Sequence, residues 1–248
     1  MDVPRTAPEI PWMRAPPVAA ALERLLFVRA VRSSAAGYVQ GIADLVVPFL
    51  TVFLSERACA GVHADDASWA AHLGGGSLSA AQSAGLADAE ADCYWCAAFL
   101  LDGIQDNYTF AQLGIQKAVH TLGALVRRLD APLAAHMEAQ GVDCLQFAFR
   151  WVNCLLQREF HGVGLVARLW DTYLAEGGGL SAFLPFLMAA LLLRYAPQLM
   201  QMDFQGMLLL LQHLPTAGWS EDDLCELLSQ AHQHRSRFAG AASHLLPP

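Results

Sequence analysis

Apolar residues recur along this chain at the spacing of helices rather than at the alternating spacing of strands. After Pro16 and Pro17, apolar side chains three and four positions apart are interspersed with Glu23 and Arg24, which predicts an amphipathic helix. Residues 44–56 are apolar at nearly every position, which predicts a central helix buried on all sides. Similar patterns predict helices over 86–101, 114–129, 143–157, 165–174, 181–195, 204–214 and 220–238. Since no segment alternates long enough to predict a strand, we expect an all-α fold.

Residues 59–85 differ from the rest of the chain because Ala, Gly and Ser dominate them. Gly74-Gly75-Gly76 lies in the middle of this stretch. Such a composition offers little apolar surface for burial, so we expect a mobile surface insertion within the domain, dispensable for its activity. Gly-rich loops also bind phosphates, but this one has no Gly-Lys-Ser/Thr ending and no preceding strand, which favours an ordinary loop.

The charge and hydropathy of the chain exclude two classes of function. The formal net charge of -8 over 248 residues argues against a nucleic-acid-binding protein, because such proteins neutralise phosphates with clustered Lys and Arg. A mean hydropathy of +0.33 raises the question of a membrane protein. The longest wholly apolar run, residues 182–193, is nevertheless shorter than the roughly 20 residues of a membrane span. We therefore expect a cytoplasmic protein without direct membrane insertion.

The six cysteines are expected to be reduced core thiols, because the chain shows no signal peptide. Cys93 and Cys96 have the spacing of a zinc or redox motif. However, no second Cys or His pair lies at zinc-finger distance, and the motif falls inside an apolar helical stretch. We predict no metal site and no cofactor.

Two polar residues near the start of the chain, Arg5 and Gln40, have the chemistry that a slow GTPase lacks. An arginine neutralises charge that develops on the phosphates, and a glutamine amide orients the attacking water. Arg5 follows Pro4 before the first clear helix, and Gln40 precedes Gly41, which allows close approach of a partner. Taken singly, each residue is more simply explained as a solvated surface group.

The sequence context of these residues resembles the signature blocks of the TBC domain, the GTPase-activating module for Rab GTPases. Three blocks carry the resemblance: Asp2-Val3-Pro4-Arg5, Gly37-Tyr38-Val39-Gln40-Gly41 with Asp44 three positions on, and Arg168-Leu169-Trp170-Asp171. Residues 101–112, 147–151 and 214–216 are also similar to the family. The resemblance runs in the expected order from Asp2 to about Phe238.

This resemblance implies that Arg5 is an arginine finger and Gln40 a glutamine finger. It implies a V-shaped, all-helical domain with the fingers at its groove, and we place two subdomains at about 1–130 and 131–248. The implied partner is a GTP-bound Rab GTPase, which carries GTP and Mg²⁺ itself, so that this chain acts as an activator rather than as a GTPase. The protein is expected to be a monomer, recruited to membranes through the Rab or through regions outside this chain.

The chain departs from the family pattern in two ways. Ala43 replaces the usual Asn of the second block. The hydrophobic residue expected three positions before Asp2 lies outside this chain, so we expect an N-terminally truncated domain.

Further residues of the blocks are expected to support the fingers or the groove: Asp2, Pro4, Tyr38, Gly41, Asp44, Arg150, Trp170 and Asp171. Arg150 lies in an aromatic-rich stretch, and a buried charge needs a partner. Asp2, Asp44 and Asp171 are candidates for that partner, and the sequence does not choose among them. Trp170 is expected to pack in the core.

Two other functions were compared with Rab activation. A non-catalytic TBC-type scaffold that only binds a Rab remains the alternative, although such a scaffold has no need of both fingers. An autonomous helical hydrolase would need a nucleophile–base pair or a metal cluster, and the sequence presents neither.

Overall fold

The computed structural model describes residues 3–33, 37–61, 66–74, 78–176 and 179–238, with the side chains of residues 66 and 67 left out. Over these ranges the chain forms twelve α-helices and four short 3-10 turns, without strands. It divides into two compact units, Met1–Phe110 and Ala111–Pro248. The expected all-α class is thus observed. The division between these compact units falls before α5, whereas the subdomains at about 1–130 and 131–248 stay a prediction.

In the part of the first unit that the structure describes, four helices follow two 3-10 turns, Val3–Arg5 and Pro11–Arg14. The helices are α1 (Pro16–Arg32), α2 (Ile42–Arg57), α3 (Asp66–Gly74) and α4 (Ala80–Gly103). α4 packs against both α1 and α2, and α3 packs against the turn Pro11–Arg14.

The expectation that α2 is buried on all sides was wrong in detail. Leu45, Val46, Leu50 and Leu54 form its buried face, whereas Val52 is 48% exposed. α2 is therefore a helix with one broad buried face against α4, and its outer side remains accessible.

Residues 59–85, expected to be a mobile surface insertion, contain helical structure in the parts that the structure describes. α3 lies within this stretch, and Trp69 and Leu73, one helical turn apart, are both buried. α4 begins at Ala80 with a capping box, in which Ser79 and Gln82 exchange side-chain to backbone hydrogen bonds. Two large apolar residues on one face were enough to bury this short helix despite its small-residue composition.

Within the described residues, the second unit contains eight helices. They are α5 (Leu113–Leu129), α6 (Ala131–Ala139), α7 (Leu145–Asn153), α8 (Val163–Ala175), α9 (Leu180–Arg194), α10 (Ala196–Leu199), α11 (Phe204–Gln212) and α12 (Glu221–Phe238). α9 is the centre of this unit and packs against α5 and α12, with eleven of its fifteen residues buried. α5 belongs here because its apolar stripe faces α6, α7 and α9, which explains why the boundary falls before α5.

α7 ends earlier than its periodicity predicts. Leu155 and Leu156 take left-handed backbone conformations, with φ of 50° and 61°, and both side chains are buried. A helix cannot continue through such residues, so the apolar pattern that extends to residue 157 belongs partly to a tight turn.

The cysteine pair Cys93 and Cys96 lies within α4. The Cys93 thiol is buried and donates to the carbonyl oxygen of Val46 at 3.7 Å, and burial raises its pKa. Across the described ranges no three side chains of His, Cys, Asp or Glu cluster in a way that could hold a metal ion. Within the same ranges, no helix is both long and apolar enough to cross a bilayer.

Candidate functional site

Arg5 is presented by a short turn whose other residues are anchored in the core. The 3-10 turn Val3–Arg5 buries Val3, and Thr6 directly after it is buried as well. The backbone N–H of Thr6 donates to the carbonyl oxygen of Val3 at 3.2 Å. Pro4 and Arg5 are exposed between these two buried residues. The guanidinium therefore extends from a backbone that is fixed on both sides.

The segment that follows Arg5 continues as a series of turns over the core. Ala7 is buried and takes a positive φ of 42°, a conformation that non-glycine residues rarely adopt. The N–H of Ile10 donates to the carbonyl oxygen of Ala7 at 3.0 Å, and the N–H of Met13 donates to that of Ile10 at 3.2 Å. Trp12 is fully buried at the centre of the second turn. These bonds connect the position of Arg5 to the position of Trp12.

Gln40 lies just before α2. In the sequence, Arg5 precedes α1 and Gln40 follows it. Its side chain is exposed, and the following Gly41 is buried with a φ of 102°. The N–H of Ile42 donates to the carbonyl oxygen of Val39 at 3.2 Å, which closes a turn around Gln40. Only glycine adopts such a φ without strain, so the sequence Gln-Gly directs Gln40 outward while α2 turns into the core.

The first turn of α2 supports this position. Asp44 is buried there, and its N–H donates to the carbonyl oxygen of Gly41 at 3.2 Å. A carboxylate in the first turn of a helix is stabilised by the positive end of the helix dipole. Tyr38 is half-buried just before Gln40. Asp2 lies outside the described residues.

Arg5 and Gln40 belong to the same compact unit. α1 packs against both the turn Val3–Arg5 and α2, so one helix connects the two segments that carry them. Both are accessible polar groups on rigid supports.

The remaining expected site residues lie in the second unit, where Arg150 pairs with Glu159. Nε and Nη2 of Arg150 donate to the two carboxylate oxygens of Glu159, each at 2.9 Å, and Nη2 also donates to the carbonyl oxygen of Gln212. Among the described residues the observed partner is therefore Glu159, which was not one of the candidates from the sequence. Spacing alone could not identify it, because the pair forms where the chain folds back after the turn at Leu156.

Glu159 is the centre of a buried polar cluster. Its side chain is 2% exposed, and its carbonyl oxygen accepts a hydrogen bond from the hydroxyl of the buried Thr216. Burial raises the pKa of the Glu159 carboxyl, and the bonds and charge of Arg150 act in the opposite direction. This cluster connects α7, the turn after it and the segment that follows α11.

Trp170 and Asp171 occupy neighbouring positions on α8 with different environments. Trp170 is buried, as expected of a core residue, whereas Asp171 is exposed. The third signature block thus contributes two core residues, Leu169 and Trp170, and one accessible carboxylate.

The sequence model of the RabGAP-TBC family, described as the Rab-GTPase-TBC domain, matches residues 1–200. The chain belongs to this family. The TBC domain described here is 45% identical over 246 residues to the GTPase-activating protein gyp1 of Schizosaccharomyces pombe, which covers 99% of this chain and 46% of gyp1. It is also 45% identical over 245 residues to TBC1 domain family member 22B of Homo sapiens, which covers 98% of this chain and 46% of that protein.

Comparison with solved structures agrees with the family assignment. The crystal structure of the Ypt/Rab-GAP domain of Gyp1p aligns with a TM-score of 0.84 at 42% identity, over 96% of this chain and 71% of that chain. The all-α class of the TBC domain is therefore confirmed. The chain spans less than half the length of the curated relatives it matches.

Proposed function

We propose that this TBC domain is a GTPase-activating protein for a Rab-family small GTPase and supplies Arg5 and Gln40 to the partner's active site. The observation that carries the proposal is the joint presentation of these two side chains, both exposed on anchored turns of one unit. The partner binds in its GTP-bound state and contributes GTP and Mg²⁺. The domain acts as an activator from the cytoplasm, at membranes where the Rab resides.

Arg5 stabilises the charge that develops as the terminal phosphoryl group is transferred to water. A guanidinium remains protonated and can bond two phosphate oxygens at once, whereas the ammonium of Lys is a point charge. Stabilisation of this kind by an arginine supplied in trans is worth about 10³- to 10⁵-fold in the rate of GTP hydrolysis. The accessible position of Arg5 suits insertion into a second protein.

Gln40 orients the water that attacks the phosphate. Its amide oxygen accepts a hydrogen bond from the water, and its NH₂ group donates to a neighbouring acceptor. In proteins that this domain resembles, the glutamine of the activator takes the place of the partner's own catalytic glutamine. The left-handed Gly41 and the buried start of α2 fix the backbone of Gln40 before the partner binds.

The anchored supports of both residues favour catalysis in trans. A group that is already held in place has lost most of its backbone freedom before the encounter, so less entropy is lost in reaching the transition state. The buried residues Val3 and Thr6 beside Arg5, and Gly41 beside Gln40, supply this preorganisation.

Arg5→Ala tests the role of the arginine in multiple-turnover GTPase assays over a panel of Rabs. We expect stimulation to fall by about 10³-fold or more on a responsive Rab, with little change in folding stability because Arg5 is exposed. Arg5→Lys should restore little activity because the bidentate geometry is lost. Arg128→Ala removes another exposed arginine, on α5, and serves as the matched control. Full stimulation by Arg5→Ala would refute the proposal.

A Rab whose catalytic glutamine is replaced by Leu tests the role of Gln40. If Gln40 orients the water, the unchanged domain should still stimulate GTP hydrolysis by the mutant Rab. The Gln40→Ala variant should not stimulate that mutant Rab. Binding of GDP with aluminium fluoride, which mimics the transition state, should weaken when either finger is removed. A domain that binds Rabs tightly but accelerates none of them would instead be the non-catalytic scaffold.

A further inference from the structure

α3 contacts the segment that carries Arg5 through a pair of tryptophans. The ring centroids of Trp69 on α3 and Trp12 in the turn Pro11–Arg14 lie 5.6 Å apart, with an interplanar angle of 56°. Trp69 is 5% exposed and Trp12 is 1% exposed. Aromatic rings at this separation attract each other beyond the effect of burial alone. The contact therefore fixes Trp12 against α3.

α3 itself is held to the rest of the first unit at its other end. Nε2 of His72 lies 3.0 Å from the carbonyl oxygen of Ala58, just after α2. The side-chain amide of Gln82 on α4 donates to the carbonyl oxygen of His72 at 3.2 Å. At the last residue of α3, a Cβ built on Gly74 would lie 4.0 Å from the Cβ of Ala15, which shows how closely this end approaches the start of α1. α3 thus joins the end of α2 to the segment before α1.

We propose that Trp69 is a positioning residue for Arg5 and acts through Trp12. The inference rests on the proposed function, in which Arg5 is the arginine supplied to the GTPase. Between Arg5 and Trp12 the backbone forms consecutive turns closed by the hydrogen bonds of Thr6, Ile10 and Met13. A displacement of Trp12 also displaces Arg5 through these turns, because Ala7 between them is buried and held in a left-handed conformation, so the backbone there cannot adjust to absorb the shift.

The stretch that contains α3 is therefore required for catalysis, although its composition predicts a dispensable loop. A misplacement of about 1 Å by a change far from the chemistry can lower a rate on the order of 10²-fold. The effect should fall on kcat rather than on KM, since an arginine finger acts in the transition state.

Comparison of Trp69→Leu with Trp69→Phe shows whether position 69 needs an aromatic ring or only an apolar side chain. Trp69→Leu should lower the kcat of stimulated hydrolysis on the order of 10²-fold, with a much smaller change in KM. Trp69→Phe should retain most of the activity, because it keeps an aromatic ring against Trp12. It also removes no hydrogen bond, since Nε1 of Trp69 has no acceptor within the described part of the chain.

Trp151→Leu is the matched control. Trp151 is fully buried in the second unit and packs against Phe147, with ring centroids 5.0 Å apart at 68°. The same truncation of a paired tryptophan should lower stability there while kcat stays near that of the unchanged domain. Assays are run well below the unfolding temperatures of both variants.

A double-mutant cycle with Arg5→Ala identifies the route of the effect. If Trp69 acts by positioning Arg5, adding Trp69→Leu to Arg5→Ala should cause no further loss of kcat. In the Trp69→Leu variant alone, amide hydrogen exchange should increase at Thr6, Ile10 and Met13 while α4 remains protected. If Trp69→Leu does not fold, Trp69→Met, which keeps more of the volume, replaces it in every assay.

The outcomes distinguish this inference from the function on which it rests. An unchanged kcat in Trp69→Leu, with Arg5→Ala inactive, overturns the positioning role and leaves the proposed function intact. A loss of equal size in the presence and absence of Arg5 also overturns it, because Trp69 would then act by another route. Full stimulation by Arg5→Ala refutes the proposed function itself.

Discussion

Replacing Arg150 by Met leaves the carboxylate of Glu159 buried without its cation. Met keeps much of the apolar length of the arginine side chain, so the change mainly removes the charge and three hydrogen bonds. Removing one partner of a buried ion pair costs about 3–5 kcal/mol. The Arg150 side chain is 35% exposed, and water screens that part of the interaction, so we expect a loss of about 2–3 kcal/mol near neutral pH.

The loss should depend on pH in a direction set by Glu159. Burial already raises the pKa of this carboxyl above its ordinary value of 4.5, and removal of Arg150 raises the pKa further. A carboxyl with a raised pKa in the folded state binds protons more readily there than in the unfolded chain. Its charged form therefore destabilises the variant increasingly as pH rises through the window above 4.5. Acidification toward that value should restore much of the lost stability.

Urea unfolding followed by circular dichroism, at several pH values between about 5 and 8, measures this dependence. Glu159→Gln in the Arg150→Met background is the control, because it removes the buried charge and should flatten the pH profile. The control also accounts for His213, whose charge favours the ionised form of Glu159. A loss in Arg150→Met below about 0.5 kcal/mol, or one that grows on acidification, would refute the reasoning.

Two further changes test packing and capping. A Cβ at Gly85 would lie 2.4 Å from the carbonyl oxygen of Arg57, so Gly85→Ala should lower the free energy of unfolding by about 1–3 kcal/mol. A Cβ at Gly103, in the same helix, meets nothing within 4 Å, so Gly103→Ala should be neutral or stabilising. Equal melting temperatures of the two variants would contradict this reasoning. Hydrogen bonds from Ser220, chiefly from its backbone N–H, and the charge of Arg194 lower the pKa of Asp223 at the start of α12. Asp223→Asn should therefore destabilise the domain at about pH 7. The difference in unfolding free energy between the unchanged domain and the variant should disappear as pH falls below 3.8, the ordinary pKa of Asp, and through the lowered pKa of Asp223. A difference in stability that persists at low pH would argue against the cap.

The helices with strong apolar periodicity could be predicted from the sequence, and their ends could not. The prediction over 181–195 differs from α9 by one residue at each end, because a long apolar run leaves little choice of structure. The predicted 143–157 extends past the true end of α7, since the left-handed Leu155 and Leu156 look in sequence like two more helical leucines. Apolar periodicity indicates which residues are buried, and the residues of the turn after α7 are buried as well.

α3 was not predicted because the interpretation of residues 59–85 relied on their average composition and not on the spacing of their few large apolar residues. Trp69 and Leu73, four residues apart, are the apolar pair that a short helix places on one face, and this signal was available in the sequence. α6 was missed in the same way, although Asp130 before Ala131-Pro132 has the chemistry of a helix start, and its carboxylate accepts a bond from the N–H of Leu133.

The site was predictable to different depths. The exposed positions of Arg5 and Gln40 agree with what their proline and glycine neighbours predict. Their catalytic roles come from the family resemblance and stay proposals. The pairing of Arg150 with Glu159 depends on the tight turn at Leu155 and Leu156, which apolar periodicity does not reveal. The contact of Trp69 with Trp12 depends on how segments far apart in the sequence fold together.

The central position of α9 has a consequence for the order in which the chain matures during synthesis. α12, which covers α9, begins about 40 residues after α9 begins. At a synthesis rate of about 5–20 residues per second, α9 leaves the ribosome roughly 2–8 s before its cover is made. α2 in the first unit has a comparable delay, since α4, which packs against its buried face, begins at Ala80, about 40 residues after α2 begins at Ile42. A fragment that stops at residue 200, where the family match ends, would keep the α12-facing side of α9 permanently uncovered, and we expect it to depend on chaperones or to aggregate.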